Sequence, residues 1–485
     1  MRILNQDALV SHGHVRGRKA IVEILEAGLE AADPYNATRK LLRVVDGRLI
    51  VGCPDFEPEG DPRSVDDIID LNTTGRIFVF GAGKGVMRVA KAIEDVLGDR
   101  LSGGHVIAKH GDSDTLHHIG VTFGAHPVPD DGCVLGCDRI LEMSHGLTDK
   151  DLVFTIACNG ISALLTKPMP GITLDDIRRV TYIMQIERGA PTGDLNPIRN
   201  HIDMMKGGKF SMYLQPARAI HLVAFHSPPY DRLMHENLWL HNLPEGSTFQ
   251  DARAMLKKWD AYDAVPASVR RFLEQANPQD ETIKAEQFEK TRFRVFAIMP
   301  LHLGMIPTAK KTAEKLGFTA LTLAEDVRVE AREAGRMTAF IARTIEKTGQ
   351  PVEPPLALFS SGEMVVTVGK ENGMGGRNQE FCVAAANAMA GSKNVVMASV
   401  DSDGTDGPGC QFCEQTLDGV TCLAGGVVDG ETLSEARQQG VDLVEAQKRH
   451  NTSPALYKLG SGVVATPNIS MNDLTITLVM GRDTA

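Results

Sequence analysis

The chain has 485 residues, of which 42% are apolar and 23% charged, and its formal net charge is -11. This length exceeds what one hydrophobic core usually organises, so we expect two domains. The acidic balance argues against nucleic acid as the main partner, because phosphate backbones are held by basic surfaces. No stretch has the apolar length of a membrane span, and the start lacks the apolar core of a signal peptide, which predicts a cytoplasmic protein that does not bind membranes.

Helices and strands alternate through the first half. The predicted helices are 18–32, 86–97, 134–145 and 162–165, and the predicted strands are 48–51, 77–80, 104–109, 121–124, 152–157 and 219–225. Strands separated by helices are joined by parallel crossovers, so the pattern predicts an α/β layered sheet.

The stretch 264–292 is polar and is interpreted as the end of one domain and a surface connection. Beyond it the rhythm resumes, with helices at 307–316, 327–347 and 378–390, strands at 294–299, 319–323, 394–400 and 474–479, and a hairpin made of 356–359 and 363–368. The expected domains are therefore 1–275 and 290–485, both of the α/β class.

A glycine-rich turn follows the strand at 77–80, in the sequence GAGKG. Gly81, Gly83 and Gly85 would let a backbone approach an anion closely at a helix start, and Lys84 adds a charge there. The spacing satisfies neither the dinucleotide fingerprint nor the Walker pattern. An ordinary tight turn with an exposed lysine therefore remains open.

A second turn of this kind follows the strand at 152–157, where Ser162 is a candidate N-cap. Two such turns at the carboxyl ends of neighbouring parallel strands are expected to face one crevice. Further along, the segment NPIRNHIDMMKGGKF places Arg199, Lys206 and Lys209 beside two consecutive glycines. These cations suit either a substrate clamp or a solvated basic surface.

The second half holds two polar segments. Arg377 begins a predicted helix, where a cation is electrostatically unfavourable, so it is expected to bind a ligand. Glu380 would either orient Arg377 or support a metal. Asp401, Asp403 and Asp406 concentrate carboxylates in a glycine-rich turn, which suits Mg²⁺ or a plain capped turn.

The eight cysteines are too sparse for a disulfide framework and are expected to remain thiols. Cys410 and Cys413 form a CxxC motif, with Cys422 in the same loop. A zinc site usually needs two such pairs or added histidines, so metal or redox use of this loop is the less favoured interpretation.

Taken in order, six segments resemble the glycerate 2-kinase family whose members carry a C-terminal MOFRL domain. They are VFGAGKGVMRVAKAIEDVLGDRLSGGHVIAKHGD, AHPVPDDG, DLVFTIACNGISALL, NPIRNHIDMMKGGK, SGEMVVTVGKENGMGGRNQEF and SDGTDGP. Members of that family transfer the γ-phosphate of ATP to the 2-hydroxyl of D-glycerate. The resemblance implies an N-terminal Rossmann-like parallel sheet, a C-terminal MOFRL-type mixed sheet and an interdomain cleft.

The resemblance also implies ATP and Mg²⁺ as cofactors, and a small anionic substrate and a nucleotide as partners, with a homodimer as a possible assembly. Lys84 and Arg377 would be the catalytic cations meeting in the cleft, with Asp403 and Asp406 as metal ligands. Substrate-binding residues would be Asn159, Ser162, Arg199, Lys206 and Asp231, and nucleotide-binding residues would be Gly81, Gly83, Gly85, Asn378 and Glu380.

Several segments that are expected to line the site differ from the sequence motifs of the family. A serine and three glycines are replaced by Cys158, Asn159, Gly160 and Ile161, and the segments HSPPYD, LHNLPEGSTF and TPNISMND replace other motifs. A changed substrate is one interpretation, and loss of kinase activity is another.

A non-kinase reaction around Cys158 and His226, near His235 and His241, is the second hypothesis. Hydroxypyruvate reduction is the third hypothesis, because Val86 stands where the dinucleotide-binding fingerprint requires its third glycine. A non-enzymatic binding module is the last.

Overall fold

A computed structural model describes residues 1–226, 228–368, 373–412, 417–469 and 471–481. The chain divides into two compact units: Pro34–Leu301, and a second unit that combines Met1–Asp33 with His302–Ala485. Residues 1–33 contain helices α1 (Gln6–Leu9) and α2 (Val15–Ala31). This division differs from the ranges expected from sequence at both the N-terminus and the connection.

The unit Pro34–Leu301 contains eleven α-helices and nine strands among the described residues. The helices are α3 (Pro34–Leu41), α4 (Val86–Leu97), α5 (Asp131–Ser144), α6 (Ile161–Leu164), α7 (Leu174–Thr181), α8 (Thr192–His201), α9 (Lys209–Met212), α10 (Tyr230–His235), α11 (Phe249–Lys258), α12 (Ala267–Gln275) and α13 (Ala285–Phe288). The strands are β1 (Leu42–Val45), β2 (Arg48–Val51), β3 (Asp67–Asp70), β4 (Ile77–Ala82), β5 (Gly103–Lys109), β6 (Gly120–Gly124), β7 (Leu152–Ala157), β8 (Arg218–Val223) and β9 (Phe293–Ala297).

Strands β4 to β9 form one parallel sheet in the order β6-β5-β4-β7-β8-β9, which confirms the predicted Rossmann-like architecture. Every residue of β4 and β7 is buried, as expected for strands covered on both faces. The strand order reverses between β4 and β7. Open α/β sheets bind ligands at such a switch point, outside the carboxyl ends of the strands.

The polar stretch 264–292 lies at the end of the unit Pro34–Leu301, as expected, but it is structured, so its interpretation as a surface connection was wrong. Val269 and Leu273 lie one helical turn apart on α12 and are buried in an apolar core shared with α7, α8 and α11. The strand that follows, β9, pairs with β8 in the parallel sheet and does not begin the second domain. The polar side chains of α12 cover the outer face of a helix whose narrow apolar stripe is easily missed in sequence.

The second unit holds the remaining elements. Its helices are α14 (Met305–Lys315), α15 (Ala331–Thr348), α16 (Arg377–Ala388), α17 (Thr432–Gln438), α18 (Leu443–Lys448) and α19 (Thr452–Lys458). Its strands are β10 (Thr319–Val327), β11 (Leu356–Gly362), β12 (Val395–Asp401), β13 (Gly425–Asp429), β14 (Gly462–Val463) and β15 (Asp473–Val479). They form a mixed sheet in the order β10-β11-β15-β12-β13-β14, as predicted.

The mixed sheet is covered on both faces. On one face, Ile21, Leu25 and Leu29 of α2 pack with α14 against Phe359 and Ile476. On the other face, α15 and α16 pack against side chains that alternate with these along the same strands. Helix α2 therefore belongs to the C-terminal sheet, although it comes first in the chain.

The predicted hairpin of 356–359 with 363–368 was wrong. Strand β11 pairs with β10 in parallel and with β15 antiparallel. Of the described residues after Gly362, Val365 makes an isolated bridge to Glu330. Adjacent apolar runs favour a hairpin in sequence, but the long-range partner β15 is invisible to that local pattern.

Among the described residues, no helix is both long enough and apolar enough to cross a membrane.

Candidate active site

The turn after β4 lies against the turn after β7, at the switch point of the parallel sheet. The backbone N–H of Lys84 donates to the carbonyl oxygen of Asn159 at 2.8 Å. Gly83 has a φ of +130°, and a Cβ there would lie 2.6 Å from the Cys158 carbonyl oxygen. The two turns are therefore in direct contact, and the crevice that they were expected to share stays a prediction. Close packing between the turns is a first reason for Gly83, whether or not a phosphate also binds there.

Two side chains, those of His126 and Lys84, lie beside Gly160. A Cβ at this residue would lie 3.0 Å from Cδ2 of His126 and 3.4 Å from Cγ of Lys84. His126 was not singled out from the sequence, although it belongs to the segment AHPVPDDG. Its only sequence signal is the Pro127 that follows it, because proline marks a restricted turn without revealing what the histidine faces.

The side chains that replace the family's small residues at this turn point in different directions. Cys158 and Ile161 are buried, and Ile161 packs into the apolar core under the sheet. Burial raises the pKa of the Cys158 thiol far above its ordinary value, so it is not a thiolate nucleophile at neutral pH. Asn159, which is half-buried, is the replaced side chain left near the crevice.

Ser162 does not cap a helix as expected. Gly160, with a φ of +82°, precedes the first helical residue of the short α6, and the Ser162 hydroxyl is 2.9 Å from Nε2 of His241. His241 is fully buried, and burial together with the charges of Lys206, Arg199 and Lys209 lowers its pKa well below the ordinary value. A neutral imidazole beside a serine hydroxyl is therefore present in this unit.

The three cations of the segment 196–210 are buried, so they do not form a solvated surface. The Lys206 ammonium donates to Asp203 Oδ2 at 2.6 Å, to the Leu165 carbonyl at 2.6 Å and to Thr166 Oγ1 at 2.8 Å. These contacts use all three of its N–H groups, so a substrate would have to displace one of them. Burial lowers the pKa of Arg199 to about 10 and that of Lys209 to about 8.

The other histidines and Asp231 lie in separate environments. Asp231 is exposed on α10 and pairs with His235 at 3.2 Å. The His226 ring lies 3.8 Å from the Phe225 ring, and burial lowers its pKa. His226, His235 and His241 thus do not share one environment, which removes the clustering on which the histidine-based hypothesis rested.

In the second unit, Arg377 links two facing carboxylates. Asp401 ends β12 and Asp473 begins β15, and they are register partners on adjacent antiparallel strands. The Nε of Arg377 donates to both oxygens of Asp473 at 2.9 Å, and its Nη2 donates to Asp401 at 2.7 Å. Like charges placed opposite each other repel, so the arginine at this helix start is explained first by the pair that it bridges.

Arg377 therefore remains charged. Burial works against the cation, but the hydrogen bond and charge of Asp473, with the charge of Asp401, raise the pKa of Arg377 above its ordinary value. Its fork has five N–H groups, and these contacts engage Nε–H and one N–H of Nη2. The guanidinium also lines a cavity of about 400 Å³ together with Glu380 and His450.

Asp406 occupies the start of α16. Its carboxylate accepts hydrogen bonds from the backbone N–H of Asn378 at 3.1 Å and of Gln379 at 2.9 Å. Both oxygens also accept side-chain amide donors from these two residues, at 3.1 and 3.0 Å. Burial raises the pKa of Asp406 to about 6, against the opposing effect of those N–H donors. Asn378 and Asp406 thus shape the helix start that carries Arg377.

The remaining predicted residues have local partners. Glu380 is buried and lies 3.0 Å from Nδ1 of His450. Asp403 accepts from the N–H and the hydroxyl of Thr405 at 2.9 and 2.7 Å. The part of the chain that the structure describes contains no group of three or more His, Cys, Asp or Glu side chains placed to hold a metal. The assignment of Asp403 and Asp406 as metal ligands stays a prediction.

The cysteine loop is described only in part. Cys410 is a free thiol, and its backbone N–H donates to the Thr421 carbonyl at 2.9 Å. Cys413 lies outside the described residues, so the CxxC interpretation stays a prediction.

Two family models match this chain. Residues 20–225 match a domain of unknown function, DUF4147, and residues 356–473 match the MOFRL family. A D-glycerate 2-kinase of Thermotoga maritima is 30% identical over 92% of this chain and 100% of its own length. A glycerate 2-kinase of Pyrococcus horikoshii is 29% identical over 96% of this chain and 98% of its own.

The fold comparison agrees with the sequence comparison. The crystal structure of a glycerate kinase from Thermotoga maritima superposes with a TM-score of 0.73 at 29% identity, covering 95% of this chain and 99% of that one. A protein of Agrobacterium vitis, named provisionally as a hydroxypyruvate reductase, is 30% identical over 84% of this chain and 87% of its own.

Proposed function

Because the chain belongs to the glycerate 2-kinase family, a group of phosphotransferases that act on a hydroxyl group, we propose that it phosphorylates D-glycerate or a close hydroxy-acid relative with ATP. The observation that carries the proposal is the match to D-glycerate 2-kinase along nearly the whole chain. In the reaction, the 2-hydroxyl oxygen bonds to the γ-phosphorus, the bond to the β,γ-bridging oxygen breaks, and the hydroxyl proton leaves. The products are ADP and the 2-phosphorylated acid.

Phosphoryl transfer requires mainly positioning and charge neutralisation. Arg377 supports this role because Asp473 and Asp401 fix its guanidinium before any ligand arrives. A preorganised cation costs little reorganisation when negative charge builds on the transferring group. Lys84 supplies a second cation at a βα turn, at the switch point where open α/β sheets bind ligands.

Asn159 is the residue we propose to alter substrate choice. It stands where the family has glycine, and its two replaced neighbours are buried in the core. An amide at this position would select hydroxy acids that offer it a hydrogen-bond partner. We assign no step to a metal held by Asp403 and Asp406, because the Asp406 oxygens already accept the N–H groups of α16.

The test is ATP turnover measured over a panel of hydroxy acids, with the position of the new phosphate identified by NMR. Lys84→Ala is expected to lower kcat/KM at least about 100-fold, because a transition-state charge contact is lost. Lys91→Ala, a lysine on α4 paired with Asp95, is the matched control and should stay near wild type. Unchanged turnover in Lys84→Ala would remove Lys84 from the mechanism.

Two further measurements separate the alternatives. Arg377→Lys, which keeps the charge but removes the planar fork, should also lower kcat/KM. Oxidation of NADH with hydroxypyruvate should be absent. NADH oxidation without ATP turnover would favour the reductase.

A further inference from the structure

A second cavity, of about 370 Å³, lies in the C-terminal unit beside the Arg377 cluster. It opens at the carboxyl ends of the parallel strands β10 and β11, and α15 forms one wall. The antiparallel β15 begins at this same edge, so Asp473 and Thr475 also line the cavity. Its position is that of a ligand site in an open α/β sheet, outside the carboxyl ends of parallel strands.

The lining is apolar along most of its length and polar at one end. Val327, Ile341, Met364 and Phe381 are among the apolar walls, and the serines that end β11 join Asp473 at the polar end. Among the described residues that line it, none is a lysine, arginine or histidine, and Glu333 is a second carboxylate beside Asp473. A small carboxylate or a phosphate would be desolvated there without a cation, which is costly. The cavity therefore suits an uncharged, largely apolar group with hydroxyls at one end.

The polar end is connected to the proposed catalytic arginine. Asp473 lines this cavity and also accepts the Nε–H of Arg377. Met364 lines both this cavity and the one that contains Arg377, so the two are neighbours. If the uncharged part of a ligand fills the apolar cavity, the groups attached to that part lie close to the Arg377 guanidinium.

We infer that this cavity binds the nucleoside part of ATP, with the base against the apolar walls and the ribose at Ser360 and Ser361. The phosphates then extend toward Arg377. The inference rests on the proposed kinase function, and it goes beyond it by placing the base in the C-terminal unit. The volume is within the range of small-molecule pockets, which starts at about 300 Å³.

The test compares two threonine substitutions on α15. Thr338 lines the cavity, and Thr338→Phe should fill part of it. Thr344 is exposed on the same helix outside the lining, so Thr344→Phe is the matched control. Calorimetric titration with ATP should show a Kd at least about tenfold higher for Thr338→Phe and unchanged for Thr344→Phe. Inorganic tripolyphosphate, which has no nucleoside, should bind wild type and Thr338→Phe equally.

Photolabelling of the wild type with 8-azido-ATP provides a measurement that needs no variant. Label on peptides spanning 327–341 or 360–364 supports the assignment, and label confined to other peptides overturns it. ATP affinity unchanged in a folded Thr338→Phe also overturns it, while leaving the kinase proposal intact. A change in the sedimentation of Thr338→Phe without any change in ATP affinity would instead assign the cavity to a second copy of the chain. A wild type that binds no ATP at all contradicts the kinase proposal itself.

Discussion

Arg377 illustrates how a sequence pattern can single out a side chain for an incomplete reason. A cation at a helix start is electrostatically unfavourable, so the sequence alone suggests that Arg377 binds a ligand. The structure shows two carboxylates on facing strands that hold it. We therefore propose that Asp473, which sequence reasoning did not select, positions Arg377.

Asp473→Asn tests that role. The substitution keeps the side-chain size but removes the charge that orients Arg377, so kcat should fall by roughly 10- to 100-fold while ATP affinity changes less. Steady-state kinetics with ATP and glycerate measure both. Asp326→Asn, an exposed aspartate of the same unit, serves as control. Turnover equal to wild type in a folded Asp473→Asn would contradict the assigned role.

Asp406 makes a pH-dependent contribution to stability whose sign follows from its environment. Its pKa is raised from 3.8 to about 6, so the folded state favours the protonated form. That contribution is complete below about pH 4 and is lost as pH rises through 6. Asp406→Asn cannot titrate. The free energy of unfolding of wild type relative to this variant should therefore fall by about 3 kcal/mol between pH 3 and 7. Urea denaturation at several pH values measures it, and a constant difference would be the contrary result.

At the scale of elements, the glycine turns have a packing role that their sequence does not reveal. Gly83→Ala should lower the free energy of unfolding by about 3 kcal/mol, because a Cβ would meet the Cys158 backbone at an unfavourable φ. Gly193, which begins α8 with open space around it, is the matched control. Gly193→Ala should change stability by less than about 1 kcal/mol. Equal denaturant midpoints for the two variants would show that the turn can relax.

The elements themselves were predicted unevenly, for a physical reason. Helix α4 and strand β7 have the predicted bounds, 86–97 and 152–157, because their periodicity and turn residues are local. The helices between 165 and 215 and strands β13 and β14 were not predicted. Their sequences are short or weakly periodic, and they are stabilised by contacts distant in sequence.

At the scale of the molecule, the N-terminal segment is part of the C-terminal unit. Arg18 of α2 is fully buried and its Nε lies 2.5 Å from Asp429 Oδ2, which is also buried. A chain that starts at residue 34 would leave that carboxylate unpaired and one face of the mixed sheet uncovered. Removing one partner of a buried pair costs roughly 3 to 5 kcal/mol. We expect calorimetry of the shortened chain to show the transition of the C-terminal unit lost or strongly lowered. The transition of the unit Pro34–Leu301 should be retained, and two unchanged transitions would contradict the division.

By itself, the sequence determined the α/β class, the parallel and mixed sheets, the family, and the turns that carry Lys84, Asn159 and Arg377. These features depend on short-range periodicity, on turn residues and on ordered motifs. Only the tertiary structure decided which sheet α2 and β9 join, that Asp406 caps α16, and that His126 lies beside Lys84. Those features are contacts between residues far apart in the chain, and the free energy that selects them comes from burial and pairing after the elements have formed.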